Sequence, residues 1–215
     1  MAKMQGFQNR RSAAKGPEDF PTPPWATRAL LEHGLGSAHL KNHTVWEPAA
    51  NRGYMVRPLA EYFGTVIATD KHDYGAGYPT VDFLDGPTPQ EFGMDVDWII
   101  TNPPFALAEE FVHRALALSK RGVAVFVRAS WIEGKGRYEN LFSVNPPTLF
   151  CPFVERVALV EGRVDPKAVT QMPYAWFVWD HGVDTGETVV RWIPPCRKEM
   201  ERDDDYPGYD QGPVV

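Results

Sequence analysis

Apolar and polar positions come in alternating blocks through the middle of the chain. Thr44-Val45-Trp46 is a short apolar run ending on Glu47; after the turn PAANRG, Met55, Leu59 and Phe63 recur at helical spacing as far as Gly64. This reads as strand, tight loop, helix. Three further apolar runs each finish on a polar residue: Val66 to Ala68 leads to Asp70, Val96 to Ile100 to Asn102, and Val123 to Val127 to Arg128. Between the last two, Leu107, Phe111, Ala115 and Leu118 mark one face of a helix that stops near Gly122. Upstream, Thr22 with Pro23 and Pro24 predicts a helix start, with Thr as cap and proline in the first turn; Trp25, Leu30 and Leu31 form its buried side and His33-Gly34 its end. Beyond residue 150 the pattern changes to Val154–Val160 and Tyr174–Trp179, two strands with no helix between them, which predicts an antiparallel pair at a sheet edge. Alternating strands and helices predict an α/β fold with a mostly parallel sheet, and in such sheets ligands gather at the carboxyl ends of the strands.

Composition narrows the class. A length of 215 residues fits one domain, placed at residues 20–195, and 43% hydrophobic residues are enough to bury a sizeable core. The two cysteines, Cys151 and Cys196, lie far apart without a CxxC motif, which argues against a disulfide scaffold or a metal site and for a reducing, cytoplasmic setting. No apolar run approaches the length of a membrane span, and the first residues lack a secretory apolar stretch, so neither export nor a membrane partner is expected. Residues 1–19 are expected to be a flexible basic arm and residues 196–215 a flexible acidic tail. The net charge of -6 excludes coating nucleic acid by bulk charge. It leaves room for a local basic face, because Arg114, Lys120, Arg121, Arg128, Lys135 and Arg137 are opposed within their segment by Glu133 alone.

Three of the strand ends carry candidate chemistry. In the loop after the first strand, Gly53 can adopt a positive φ, and Asn51 is among the few other residue types that visit that region, so the backbone can turn close to a ligand. Asp70 can accept both hydroxyls of a sugar with one carboxylate. In TNPPF at residues 101–105, adjacent prolines fix their φ angles and remove two N–H donors, so a rigid turn presents carbonyl acceptors. A second Asn-Pro-Pro, at residues 145–147, follows no long apolar run and reads as a loop.

Together WEPAANRG at 46–53, ATD at 68–70, VDF at 81–83 and TNPPF at 101–105 resemble the S-adenosylmethionine-dependent adenine-N6 DNA methyltransferases, in particular their small phage-like solo members. The resemblance covers about residues 20–180 and implies a Rossmann-like class I methyltransferase fold. That fold has a mostly parallel seven-stranded sheet with an antiparallel edge strand and helices on both faces. It implies S-adenosyl-L-methionine as cofactor, held by Glu47, Pro48, Ala49, Asn51 and Gly53, with Asp70 on the ribose, Asp82 and Phe83 on the adenine, Thr22 and Pro23 closing over the methionine end, and Asn102 also in contact with it. Asn51 stands where the family carries a further glycine. Asn102, Pro103, Pro104 and Phe105 would form the catalytic element, with the Asn102 side-chain oxygen and the Pro103 carbonyl accepting the two N6–H bonds and Phe105 stacking on a flipped base. The segment MPYAWFVWD at 172–180 resembles the strand that walls the target-base pocket, which makes Tyr174 and Trp176 candidates.

A nucleic-acid substrate needs a charge footprint. The loop ASWIEGKGRY, with Trp131, Lys135 and Arg137, lies at the same end of the sheet as TNPPF and suits a phosphate backbone, which points to DNA. No segment reads as a separate target-recognition domain, so recognition falls to loops around 130–150 and 161–173, assisted by a partner or a homodimer. Two rival readings stand beside this one. The first is a methyltransferase acting on RNA adenine or a protein glutamine amide; the second is a non-catalytic subunit that binds S-adenosylmethionine or nucleic acid.

Overall fold

The computed structural model describes residues 18–183 and 186–206. Most of the basic arm and the end of the acidic tail, residues 207–215, therefore lie outside the described residues. Seven strands form one sheet: β1 (Thr44–Glu47), β2 (Thr65–Ala68), β3 (Trp98–Thr101), β4 (Gly122–Arg128), β5 (Leu149–Pro152), β6 (Tyr174–Asp180) and β7 (Val189–Val190). Their order across the sheet is β2-β1-β3-β4-β6-β5-β7. β1 pairs in parallel with β2 and β3, and β3 with β4, whereas β6 runs antiparallel to both β4 and β5.

Strand residues point alternately to the two faces. Val45, Trp98, Ile100, Ala124, Phe126 and Trp176 pack on one face against α1 (Pro24–Ala29, continued by a π-helical turn at Leu30–Leu35) and α2 (Val56–Tyr62). Trp46, Ile99, Val123, Val125 and Phe177 pack on the other against Phe111, Val112 and Ala115 of α3 (Ala108–Leu118). Burial on both faces explains why these strands read as continuous apolar runs rather than alternating ones.

Three expectations change. The first late strand is Leu149–Pro152, not Val154–Val160; Cys151 pairs with Trp176 of β6, while Val154 lies 56% exposed in the loop beyond. The Asn-Pro-Pro at 145–147 is the turn that leads into this strand, since proline stops the preceding helical turn and leaves the chain extended. At the start of α1, the cap position is Pro23 and no side chain caps the helix, so Thr22 is not a cap.

The third correction concerns the tail. Over residues 196–206 it is packed rather than flexible: Cys196 is buried, Arg197–Met200 forms a helical turn, and Asp205 meets Arg28 of α1. Arg28 donates to both Asp205 oxygens at 2.7 and 2.9 Å, to both Glu61 oxygens and to the Met200 carbonyl at 2.7 Å. A buried guanidinium needs that many acceptors, and the acidic tail supplies them.

The chain leaves β1 for β2 on one side and later returns to place β3 on the other, so the strand order reverses at β1. A crevice opens at such a switch point, beyond the carboxyl ends of β1 and β3.

Candidate functional site

At the end of β1, Glu47 is fully buried and its Oε1 accepts the Ala49 N–H at 2.9 Å. Its other oxygen and the buried Thr101 hydroxyl close by make no hydrogen bond of normal geometry. Burial pushes the Glu47 carboxyl up to about 8, and the neighbouring Asp70 adds to the effect. The loop then turns through Asn51, at φ 50°, the only non-glycine residue with positive φ among the described residues. Its side chain accepts the Arg52 N–H and donates to Asp19, and its own N–H donates to Asp70 at 2.8 Å. Asp70 also accepts the His72 N–H at 2.8 Å; burial raises its pKa, and these two N–H groups oppose the rise.

Among the described residues no further strand of the sheet lies outside β2, which is its edge. An isolated bridge between Asp70 and Thr80 brings the chain back, after the loop of residues 71–79, to deliver Asp82 and Phe83. Asp82 pairs with Lys71 at 2.6 Å and accepts the Leu84 N–H, and the Lys71 ammonium holds its carboxyl below the usual range. Phe83 is wedged between Trp46 and Phe111, at ring distances of 5.0 and 4.7 Å.

At the end of β3, Asn102 donates from Nδ2 to the Phe20 carbonyl at 2.8 Å. That bond fixes the amide orientation and leaves Oδ1 as an acceptor with no partner among the described residues. The Phe105 N–H donates to Glu18 at 2.6 Å, and the Phe105 ring lies beside Phe20, 5.8 Å away. Residues 18–22 thus strap the two loops together, because Asp19 also forms a two-point ion pair with Arg52.

A cleft of about 320 Å³ lies between these elements, within the size range of small-molecule sites. Of the sequence candidates, Thr22, Pro48, Ala49, Asn51, Asp70, Asp82, Phe83, Asn102, Pro103, Pro104 and Phe105 line it. Sequence reasoning missed Glu18, Phe20, Tyr54, Met55, His72 and Tyr74, which also line it. The acids of β-strand ends are visible as a pattern; apart from Met55, whose helical spacing marks it as core rather than as cleft wall, these residues sit in loops and in the strap, where periodicity carries no signal. The cleft suits a cationic nucleoside. Asp70 supplies negative charge, Asp82, its charge offset by Lys71, supplies further acceptor sites, and the Thr22 hydroxyl is buried without a partner among the described residues, a donor in want of an acceptor.

Other candidates lie elsewhere. Glu47 is beneath the loop rather than in the cleft wall, where it braces the backbone of Ala49. Pro23 is buried at the start of α1, its carbonyl accepting the Ala26 N–H. Gly53, at φ 82°, faces Tyr78, whose hydroxyl a methyl group there would strike, so the glycine serves that packing and does not line the cleft. Trp176 is a core residue donating to the Ala26 carbonyl, and Tyr174 is buried and stacked on Phe126 at 5.2 Å. Trp131 packs among Phe142 and Phe177. Arg137 lies over Trp131 and is spent on the Trp131 and Glu133 carbonyls, both at 2.6 Å, and Lys135 is exposed beside Glu139. The basic segment is not one footprint either: Lys120 and Arg121 pair with Asp95 and Asp97 at the opposite end of the sheet. Among the described residues no cluster of His, Cys, Asp or Glu could hold a metal ion, and no helix is long and apolar enough to cross a membrane.

No protein-family model and no curated protein matches the sequence. Solved structures do match in three dimensions. A type I restriction-modification methyltransferase subunit from Streptococcus thermophilus superposes with a TM-score of 0.59 at 12% identity, over 84% of this chain and 48% of that one. A protein described as the modification subunit of a type I restriction enzyme from Vibrio vulnificus gives 0.54 at 18% identity, over 85% and 49%. The chain has a methyltransferase fold. It spans about half the length of these two proteins. A protein described as an RNA methyltransferase from Pyrococcus horikoshii gives 0.54 at 18% identity, over 77% of this chain and 90% of that one. The Rossmann-like arrangement expected from the sequence is therefore the one this chain adopts, with the cleft at the switch point of its sheet.

Proposed function

We propose that the protein is an S-adenosyl-L-methionine-dependent methyltransferase that transfers a methyl group to the exocyclic N6 amine of adenine in DNA. The observation that carries this reading is the Asn102 amide, pinned through Nδ2 so that Oδ1 is left as an acceptor in a cleft shared with Asp70 and Asp82. An amine whose lone pair is delocalised into a ring must become more tetrahedral to attack a methyl carbon. Two acceptors aimed at its hydrogens favour that change and stabilise the positive charge that develops. Asn102 Oδ1 is one; the Pro103 carbonyl, with no bonded donor among the described residues, is the other.

Bound S-adenosylmethionine would supply an electrophilic methyl on its sulfonium: the N6–C bond would form as the S–C bond breaks, with S-adenosylhomocysteine as leaving group and the surplus N6 proton passing to water. The chain's residues bind and orient. Asp70 accepts from the ribose hydroxyls while its own geometry is held by the Asn51 and His72 N–H groups. Asp82 accepts from the adenine amine, Phe83 walls that ring, and Thr22 donates to the carboxylate. Glu47 holds the loop from below. Positioning of this kind supplies most of the acceleration that an in-line transfer needs. DNA is favoured over a protein amide by the exposed Arg128 at the cleft end of β4, whose guanidinium lies over Phe105.

The test is transfer of labelled methyl from S-adenosylmethionine to unmethylated duplex DNA, RNA and protein extract, followed by mapping of modified positions in DNA from cells expressing the protein. Label in DNA at adenine N6 is the expected result. Label confined to RNA or to a protein glutamine would replace the substrate, and cofactor binding without transfer would leave a non-catalytic binding subunit.

A further inference from the structure

β4 runs past β3: Thr101 pairs with Val125, so β4 continues for three residues beside the Asn-Pro-Pro turn and ends on Arg128. Across the antiparallel pair, Arg128 stands opposite Tyr174. Its guanidinium carbon lies 5.1 Å from the centroid of the Phe105 ring, the ring on which the resemblance to the adenine-N6 methyltransferases stacks a flipped base. Other cations around the cleft are engaged: Lys71 with Asp82, Arg52 with Asp19, Arg137 with two carbonyls. Arg128 is exposed and has no carboxylate partner among the described residues; its neighbours are the Phe105 face and the Tyr174 phenol.

We propose that Arg128 is a placeholder on Phe105, covering the ring while no base is present and moving to a phosphate beside the target nucleotide when the base takes its place. This inference rests on the nucleic-acid reading above. A guanidinium on an aromatic face and a base on the same face are attractions of similar size, so exchanging one for the other costs little. The displaced guanidinium carries its charge away without a counterion in the protein, and a phosphate offers it a planar two-point partner. Base entry and backbone engagement are coupled in this way: a base arriving without its phosphate gains its stacking on Phe105 only by displacing a cation contact of similar size, which nothing then compensates.

The experiment compares wild type, Arg128→Gln and Arg128→Lys, with Lys41→Gln at the far end of the sheet as control and thermal unfolding to establish folding. The first probe is a duplex carrying the mapped site, with affinity followed against salt concentration. Arg128→Gln is expected to lower the slope of log affinity against log salt by about one and to weaken binding a few-fold at moderate salt, while Arg128→Lys keeps the slope. The second probe is 2-aminopurine riboside, which has a base and no phosphate; Arg128→Gln and Arg128→Lys are both expected to bind it two- to threefold more tightly than wild type. An unchanged slope in Arg128→Gln, or riboside binding that is unchanged or weakened in both variants, overturns the proposal. If wild type methylates DNA while these results fail, only the role of Arg128 falls; if wild type transfers no methyl group to DNA, the nucleic-acid reading falls and this inference with it.

Discussion

Replacing Glu47 by glutamine removes a group that the fold keeps protonated near neutral pH. The carboxyl is fully enclosed, has one oxygen bonded to the Ala49 N–H and the other, beside the Thr101 hydroxyl, without a hydrogen bond of normal geometry among the described residues, and is pushed from 4.5 up to about 8, by burial first and by the charge of Asp70 in addition. Because the folded value lies above the unfolded one, the native state binds the extra proton between pH 4.5 and 8. Stability therefore falls as pH rises through that window, by about 1.4 kcal/mol for each pH step and by up to about 5 kcal/mol across it. That is a large part of the 5–15 kcal/mol typical of a single domain. Glutamine keeps the acceptor for the Ala49 N–H and cannot ionise, so its stability lacks this slope. Urea unfolding at pH 5, 6.5 and 8 should give midpoints for wild type that drop relative to Glu47→Gln as pH rises, the difference being smallest at pH 5. Parallel pH profiles for the two proteins would refute the argument, because they would mean that Glu47 titrates alike folded and unfolded.

Asn102→Ala should remove most methyl transfer, on the order of a hundredfold or more in kcat, while cofactor affinity from isothermal titration stays within a few-fold. A collapse of cofactor binding instead would move Asn102 from the target amine to the cofactor. Arg28→Ala leaves the Asp205 and Glu61 carboxylates without their shared guanidinium and should cost about 3–5 kcal/mol in urea unfolding at neutral pH. A loss below about 1 kcal/mol would show that the tail does not depend on this pairing. Gly53→Ala should cost about 1–2 kcal/mol from its positive φ alone, plus the collision with Tyr78. Adding Tyr78→Phe should recover only the second part, and full recovery would mean that the backbone angle is not strained.

What the sequence disclosed and what it hid divide along one physical line. In a sheet buried on both faces, each strand is an apolar run, and the acid or amide that closes it marks the carboxyl end where ligands gather; Asp70 and Asn102 are legible for that reason. Asn51 was legible because few residue types tolerate its backbone angle. Side-chain direction was not. Tyr174 and Trp176 lie two apart on β6 and share a face, but that face is the one α1 covers, and nothing local says which face a helix will take. Trp131 and Arg137 looked like a nucleic-acid loop by composition, yet aromatic and basic residues also make the cation–π and carbonyl contacts that fold a loop onto itself. The strand at Leu149–Pro152 was misplaced because its position is set by pairing with β6, not by its own pattern. The strap is the strongest case. Phe20 meets Asn102 across 82 residues and Glu18 meets Phe105 across 87, while Asp19 grips Arg52 in the other loop. No periodicity encodes contacts of that separation. Without the strap, the Asn102 amide would be free to turn either its donor or its acceptor toward the cleft. The acceptor geometry on which the proposed chemistry turns is therefore a tertiary property, supplied from outside the motif that carries the asparagine.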